Sequence, residues 1–248
     1  GKLDLVIGPY QMALQLHESV GHPTELDRVL GEEASFAGTS FLTPEKRGNF
    51  QLGSKYVNIV ADATAPYVLG GFMYDDEGVK AKKIYLVKEG LFVGYLNSRE
   101  TSYRLGLEPM GAMRADNFNR MPIIRMTSIN LEPGNFTLEE LIGGVDNGLL
   151  IDANRSWSID QNRLNFQFGT EIGYEIKNGK LQDMVKNPTY SGITYEFWRS
   201  LDGVGNESYY KVLGVPNCGK GEPMQVMEVS HGSSYARFRN VNVGVRNE

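Results

Sequence analysis

A single cysteine, Cys218, stands in 248 residues. One thiol closes no internal disulfide, which excludes a small disulfide-stapled secreted scaffold. Long hydrophobic runs are also missing: no apolar stretch approaches the roughly 20 residues that a membrane helix requires. Positive charge is outweighed, with 25 Lys and Arg against 30 Asp and Glu, for a net charge of −5. A phosphate-binding surface normally declares itself as a basic excess, so this balance argues against a nucleic-acid partner. No internal repeat, low-complexity tract or obvious linker divides the chain, and no charged-then-apolar leader opens it at Gly1-Lys2-Leu3-Asp4-Leu5-Val6. The expectation is a cytoplasmic protein that starts in mid-sequence, with a segment upstream. With 41% apolar and 22% charged residues, the remaining composition is that of an ordinary soluble globular protein long enough to bury a real core.

Helical periodicity is concentrated early. Pro9 to Val20, PYQMALQLHESV, carries Met12, Ala13, Leu16 and Val20 at helical spacing. TELDRVL follows Pro23, a residue suited to a first turn. Thr137, as N-cap with Glu140 three residues on, predicts a short helix over Leu138 to Ile142, and Thr194 to Leu201 is a further candidate. Strand patterns dominate later. Lys83 to Val87 and Leu91 to Leu96 flank Lys88-Glu89-Gly90 as a hairpin, and Asn178-Gly179 joins two further runs in a strong hairpin turn. Leu149 to Asp152, Leu164 to Phe168, Met224 to Val229 and Ala236 to Val243 read as additional strands. Early helices followed by strands predict an α+β fold with largely antiparallel or mixed sheet, rather than alternating βαβ units.

Histidine is nearly as rare as cysteine. Of the three, His17, His22 and His231, two fall in the segment HESVGHPTELD beside Glu18. Ring positions five apart on an α-helix differ by about 140° around the axis, against about 40° for four apart. A regular helix therefore cannot aim His17 and His22 at one ion. Two remedies are open: a left-handed exit at Gly21, followed by Pro23, or a single-turn bulge that absorbs the extra residue. A catalytic zinc commonly takes three protein ligands plus water. Cys218, His231, Glu25 and Asp27 are the candidates for the third, with Cys218 expected in a turn within VPNCGKGEP. A thiolate would leave bound water less acidic than three neutral histidines do, which gives Glu18 the part of general base. Glu25 or Asp27 would then orient a histidine ring.

HESVGHPTELD resembles the His-Glu-x-x-x-His signature of the TldD branch of the TldD/PmbA metalloprotease family. MYDDEGVKAKKIYLVKEGLFVGYLNSRETS, PIIRMTSINLEPG and VPNCGKGEPMQV are similar to further segments of that family in the same order, so the resemblance covers nearly all of the chain. It implies a single C-terminal catalytic domain over residues 1–248, with a metal-binding helix near its start and the family's N-terminal α/β domain absent. It also implies one Zn2+ on His17, His22 and Cys218, with Glu18 as catalytic base, and hydrolysis of unfolded or small peptide substrates. As partner it implies a second copy or a TldD/PmbA homologue in a dimer, with no nucleic acid and no membrane. The segment MGAMRADNFNRMP departs from the family's glycine-rich stretch but keeps Arg114 and Arg120 ahead of Arg125. Tyr190, Tyr195 and Arg125 are candidates for stabilising the oxyanion. The rival readings are a non-catalytic partner subunit with a structural metal or none, and a metal-dependent amidase acting on a small molecule.

Overall fold

The computed structural model describes residues 1–245. Two sheets and the short helical run between them carry most of the structure, in a mixed α+β architecture dominated by strands. The larger sheet has seven strands, and its pairings close into a ring. Lys2–Ile7 lies parallel to Asn147–Ile159 and antiparallel to Ala236–Val245. Asn147–Ile159 pairs with Asn165–Lys177, which pairs with Pro188–Ile193, which returns to Ala236–Val245. The smaller sheet of six strands runs from Lys211–Lys220 through Gln225–Ser233, Ser128–Leu131, Ile59–Asp62 and Lys83–Lys88 to Leu91–Phe92.

Several local signals hold as read. Thr137 and Glu140 form a reciprocal capping box at the start of the helix Leu138–Gly143. Asn178 and Gly179, with φ of 50° and 72°, make the turn between Asn165–Lys177 and Lys180–Lys186. The hairpin after Lys83 is shorter than its apolar pattern predicts. Regular pairing stops at Phe92 because the ladder is disrupted there: both Val93 and Gly94 donate their N–H to the Leu86 carbonyl, as in a bulge.

The helix Pro9–Leu16 lies where the two sheets meet, packed on Asn147–Ile159 from one and Gln225–Ser233 from the other. Its face is apolar through Met12, Ala13 and Leu16, yet Gln11 and Gln15 are fully buried as well. Their amides are satisfied in a chain of bonds. Gln11 Nε2 donates to the Tyr190 hydroxyl at 2.8 Å, which donates to Gln15 Oε1 at 2.9 Å. Gln15 Nε2 and Trp198 Nε1 both donate to Ser19 Oγ, at 3.0 and 2.9 Å. The rotation of this helix is thus fixed by directional bonds as well as by packing.

Candidate metal and catalytic site

The extra residue between His17 and His22 is absorbed by a π-turn. Residues His17–Gly21 follow the α-helix without a break, and the His22 N–H donates to the His17 carbonyl, five residues back. Gly21 keeps a right-handed conformation, φ −56° and ψ −68°, so the bulge is realised and the left-handed exit is not. Glycine is needed here for space, since a Cβ on Gly21 would stand 2.1 Å from Met126 Sδ. Thr24 closes the turn: its hydroxyl lies 2.9 Å from both the Val20 and the Gly21 carbonyls.

Cys218 comes from the opposite wall. It lies in the strand Lys211–Lys220, not in the turn that its proline, asparagine and glycine neighbours suggest. A register shift between Val215 and Cys218 accommodates those residues, and pairing with Gln225–Ser233 resumes at Cys218–Met227. Arg125, fully buried, anchors this stretch by donating to the Cys218 carbonyl at 2.5 Å and to that of Gln225 at 3.3 Å.

One ligand atom from each of His17, His22 and Cys218 falls within 4.8 Å of the other two, and all three residues are buried. The His22 Nε2 to Cys218 Sγ distance is 3.8 Å. Proton placement on the rings follows from their partners. His231 Nδ1 lies 3.2 Å from the Ile129 carbonyl, which only accepts, so that nitrogen carries the hydrogen. In the neutral ring Nε2 then accepts from His17 Nδ1 at 2.7 Å, and His17 Nε2 is left as a bare lone pair. His22 Nδ1 likewise donates to Glu25 Oε2 at 2.8 Å, freeing its Nε2. Burial above all pushes the His17 and His22 rings well below their usual range, with Arg163 among the cations that add to it, and takes His231 down to about 4. The imidazoles are therefore neutral and able to ligate at physiological pH. Burial pushes the Cys218 thiol up to about 11 against the pull of Arg125, so only a strong local cation would hold it as thiolate.

His231 is thus not a third ligand but the group that fixes the His17 tautomer. Asp27, the other carboxylate considered for ligation, is bound instead to Lys220 Nζ at 2.6 Å. Two bare imidazole nitrogens and one buried sulfur face one another, and once the thiol loses its proton they form a donor set suited to a borderline-soft divalent ion such as zinc.

Glu18 and His17 line the same cleft of about 570 Å³, together with His22 and Cys218. Its carboxyl is nearly buried, and burial raises its pKa against the opposing effect of Arg163, whose Nη1 ion-pairs with Glu18 Oε2. Arg163 was not foreseen from the sequence, because 145 residues separate it from Glu18. None of the three oxyanion candidates is among the residues lining this cleft. Tyr190 is in the core network with Gln11 and Gln15, Tyr195 packs on Phe50 and Arg199, and Arg125 anchors the Cys218 strand.

A family model described as the PmbA/TldA metallopeptidase C-terminal domain matches residues 1–245. The chain belongs to that family. Among its relatives is a metalloprotease of Methanothermobacter thermautotrophicus, 34% identical over 98% of this chain and 50% of the relative. A zinc metalloprotease TldD homolog of Saccharolobus solfataricus is 24% identical over 98% of this chain and 52% of its own length. The fold is shared with the crystal structure of TldE from Thermococcus kodakarensis, with a TM-score of 0.78 and 22% identity over 98% of this chain and 50% of that one. The chain thus spans about half the length of the PmbA/TldD relatives that it matches. No helix among the described residues is long and apolar enough to cross a membrane.

Proposed function

We propose that this chain carries the active site of a zinc-dependent peptidase acting on unfolded or small peptides. The observation that supports it most is the convergence of His17, His22 and Cys218 in one cleft with the Glu18 carboxylate. His17 and His22 would hold the ion through Nε2 and Cys218 through Sγ, and a bound zinc would supply Lewis-acid polarisation of the scissile carbonyl and a more acidic water. The remaining work falls to the chain's own groups. His231 and Glu25 keep the two rings in their ligating tautomer and orientation. Glu18 takes a proton from the attacking water and returns it to the departing amine. Burial suits it to this, because a carboxylate of raised pKa is the stronger base.

An extended peptide is the substrate that the cleft favours. One wall is the strand Lys211–Lys220, which stands at the edge of its sheet and offers free backbone groups to a segment laid alongside it. In the same reading the protein acts in the cytoplasm, as a dimer with a second copy or a PmbA/TldD homologue; its native mass tests the pairing.

The deciding experiment compares two variants in the full-length protein. Glu18→Gln retains zinc by elemental analysis and loses about 100- to 10,000-fold in cleavage of an unfolded peptide. Cys218→Ala loses zinc and activity together. Full activity in Glu18→Gln would sink the proposed chemistry and leave a non-catalytic metal-binding subunit as the better reading.

A further inference from the structure

We infer that Arg163 is a catalytic residue of this site, orienting Glu18 and donating an N–H to the oxyanion that develops on the scissile carbonyl. The inference rests on the hydrolytic reading above and names a group which that reading lacks. Among the described residues that line the cleft, Arg163 is the only lysine or arginine. Its side chain is 14% exposed, and Nη1 is committed to Glu18 Oε2. The guanidinium carries five N–H donors in a fixed fork, so the ion pair leaves others for a ligand. Its buried Nε has no hydrogen-bond partner in the protein. A donor buried beside a base and left unpaired is costly in a scaffold and useful where negative charge appears only during reaction.

The backbone is shaped to present this side chain. Arg163 sits in the loop between Asn147–Ile159 and Asn165–Lys177 with φ of 61°, the left-handed region that a branched-chain or bulky residue seldom occupies. The conformation is held from both sides: the Arg163 N–H donates to the Asp160 carbonyl at 3.0 Å, and Thr194 Oγ1 donates to the Arg163 carbonyl at 2.8 Å. The turn thereby fixes the direction in which the Arg163 side chain leaves the backbone.

The chemistry balances. The water oxygen bonds to the carbonyl carbon as Glu18 takes its proton, and the carbonyl π pair moves onto oxygen, where the Arg163 N–H meets the new charge. That pair returns as the C–N bond breaks, and the Glu18 proton passes to the leaving nitrogen.

The test uses the full-length zinc-loaded protein, an unfolded peptide substrate and a phosphinate peptide that mimics the tetrahedral state. Arg163→Gln is expected to keep its zinc affinity within about threefold while kcat/KM falls about 100- to 1000-fold, chiefly in kcat. Phosphinate affinity should fall in parallel with kcat/KM. The loss of phosphinate affinity should persist, reduced by the orienting share, when Arg163→Gln is added to Glu18→Gln, where a residue that merely oriented the carboxylate would have nothing left to change. Arg163→Gly suits the left-handed backbone and guards against misfolding; guanidinium at non-denaturing concentration should restore part of its kcat. Unchanged kcat in Arg163→Gln, phosphinate affinity indifferent to Arg163 in the Glu18→Gln background, or loss of zinc from both Arg163 variants would overturn the assignment. A wild-type protein that binds zinc but neither cleaves peptide nor binds the phosphinate would instead overturn the hydrolytic reading on which it rests.

Discussion

Two buried polar clusters adjoin in this molecule, and they differ in how their charges are met. In one, Glu25, Asp27 and Glu33 surround Arg28 and Lys220. Lys220 Nζ lies 2.6 Å from Asp27, 3.7 Å from Glu33 and 4.0 Å from Glu25. In the other, His17, His22 and Cys218 offer neutral donors to one another and no cation of their own. Glu25 belongs to both, since it pairs with Arg28 and also holds His22. Buried ions persist where partners surround them. In the first cluster each cation has carboxylates within 4.0 Å, and the cluster reads as framework, whereas the second is built of neutral groups. Covalent spacing reinforces the contrast. Cys218 and Lys220 are two apart on one strand, so the same face of that strand serves both clusters.

The sharpest way to break this comparison is to remove the framework's cation. Lys220→Met leaves three carboxylates with Arg28 alone and should cost about 3–5 kcal/mol in unfolding free energy, whether or not zinc is present. An unchanged denaturation midpoint would mean that Lys220 does not balance the cluster.

A smaller effect should separate the clusters by function. His231→Leu removes the acceptor for His17 Nδ1–H and should weaken zinc binding about 10- to 100-fold in a chelator competition. His231→Gln can both accept and donate, and should recover part of that loss. Equal affinity in all three proteins would remove His231 from the donor cluster.

The smallest effect concerns pH. Burial raises Glu33 from 4.5 to about 7, against the pull of Lys220. The folded chain therefore keeps a proton that the unfolded chain has already released. The contribution of this group is full below about 4.5 and is lost as pH rises through about 7. Glu33→Gln should flatten that decline and be the more stable protein at pH 8, by about 1 kcal/mol. Denaturant midpoints between pH 5 and pH 8 check it, and parallel curves for the two proteins would remove Glu33 as the origin of any pH dependence.

The sequence revealed the local parts of this structure more readily than the distant ones. The Thr137 capping box and the Asn178-Gly179 turn need only near neighbours, so they were legible. The spacing of His17 and His22 demanded an irregular helix, and the π-turn is one of the two geometries that satisfy it. The helix Arg99–Leu105, capped by Ser98 and ended by Gly106 with φ of 63°, carries little apolar periodicity and so leaves little mark in the sequence. The composition around Cys218 favours a turn, and pairing with Gln225–Ser233 overrides that preference. His231 and Arg163 stand 214 and 145 residues from the groups they hold, beyond the reach of any local pattern.

The ring of strands bears on the order in which the molecule can assemble. Its first member, Lys2–Ile7, is clasped by Ala236–Val245, with Leu3 opposite Val241 and Ile7 opposite Ala236. The helix bearing His17 springs directly from that first strand. The histidine segment is therefore seated beside a sheet that is complete only when Lys2–Ile7 and Ala236–Val245 have paired. Closure over so long a separation is intrinsically slow. The histidine segment thus depends on the most widely separated pairing in its sheet, and loosening Ala236–Val245 should disturb the residues that follow Lys2–Ile7.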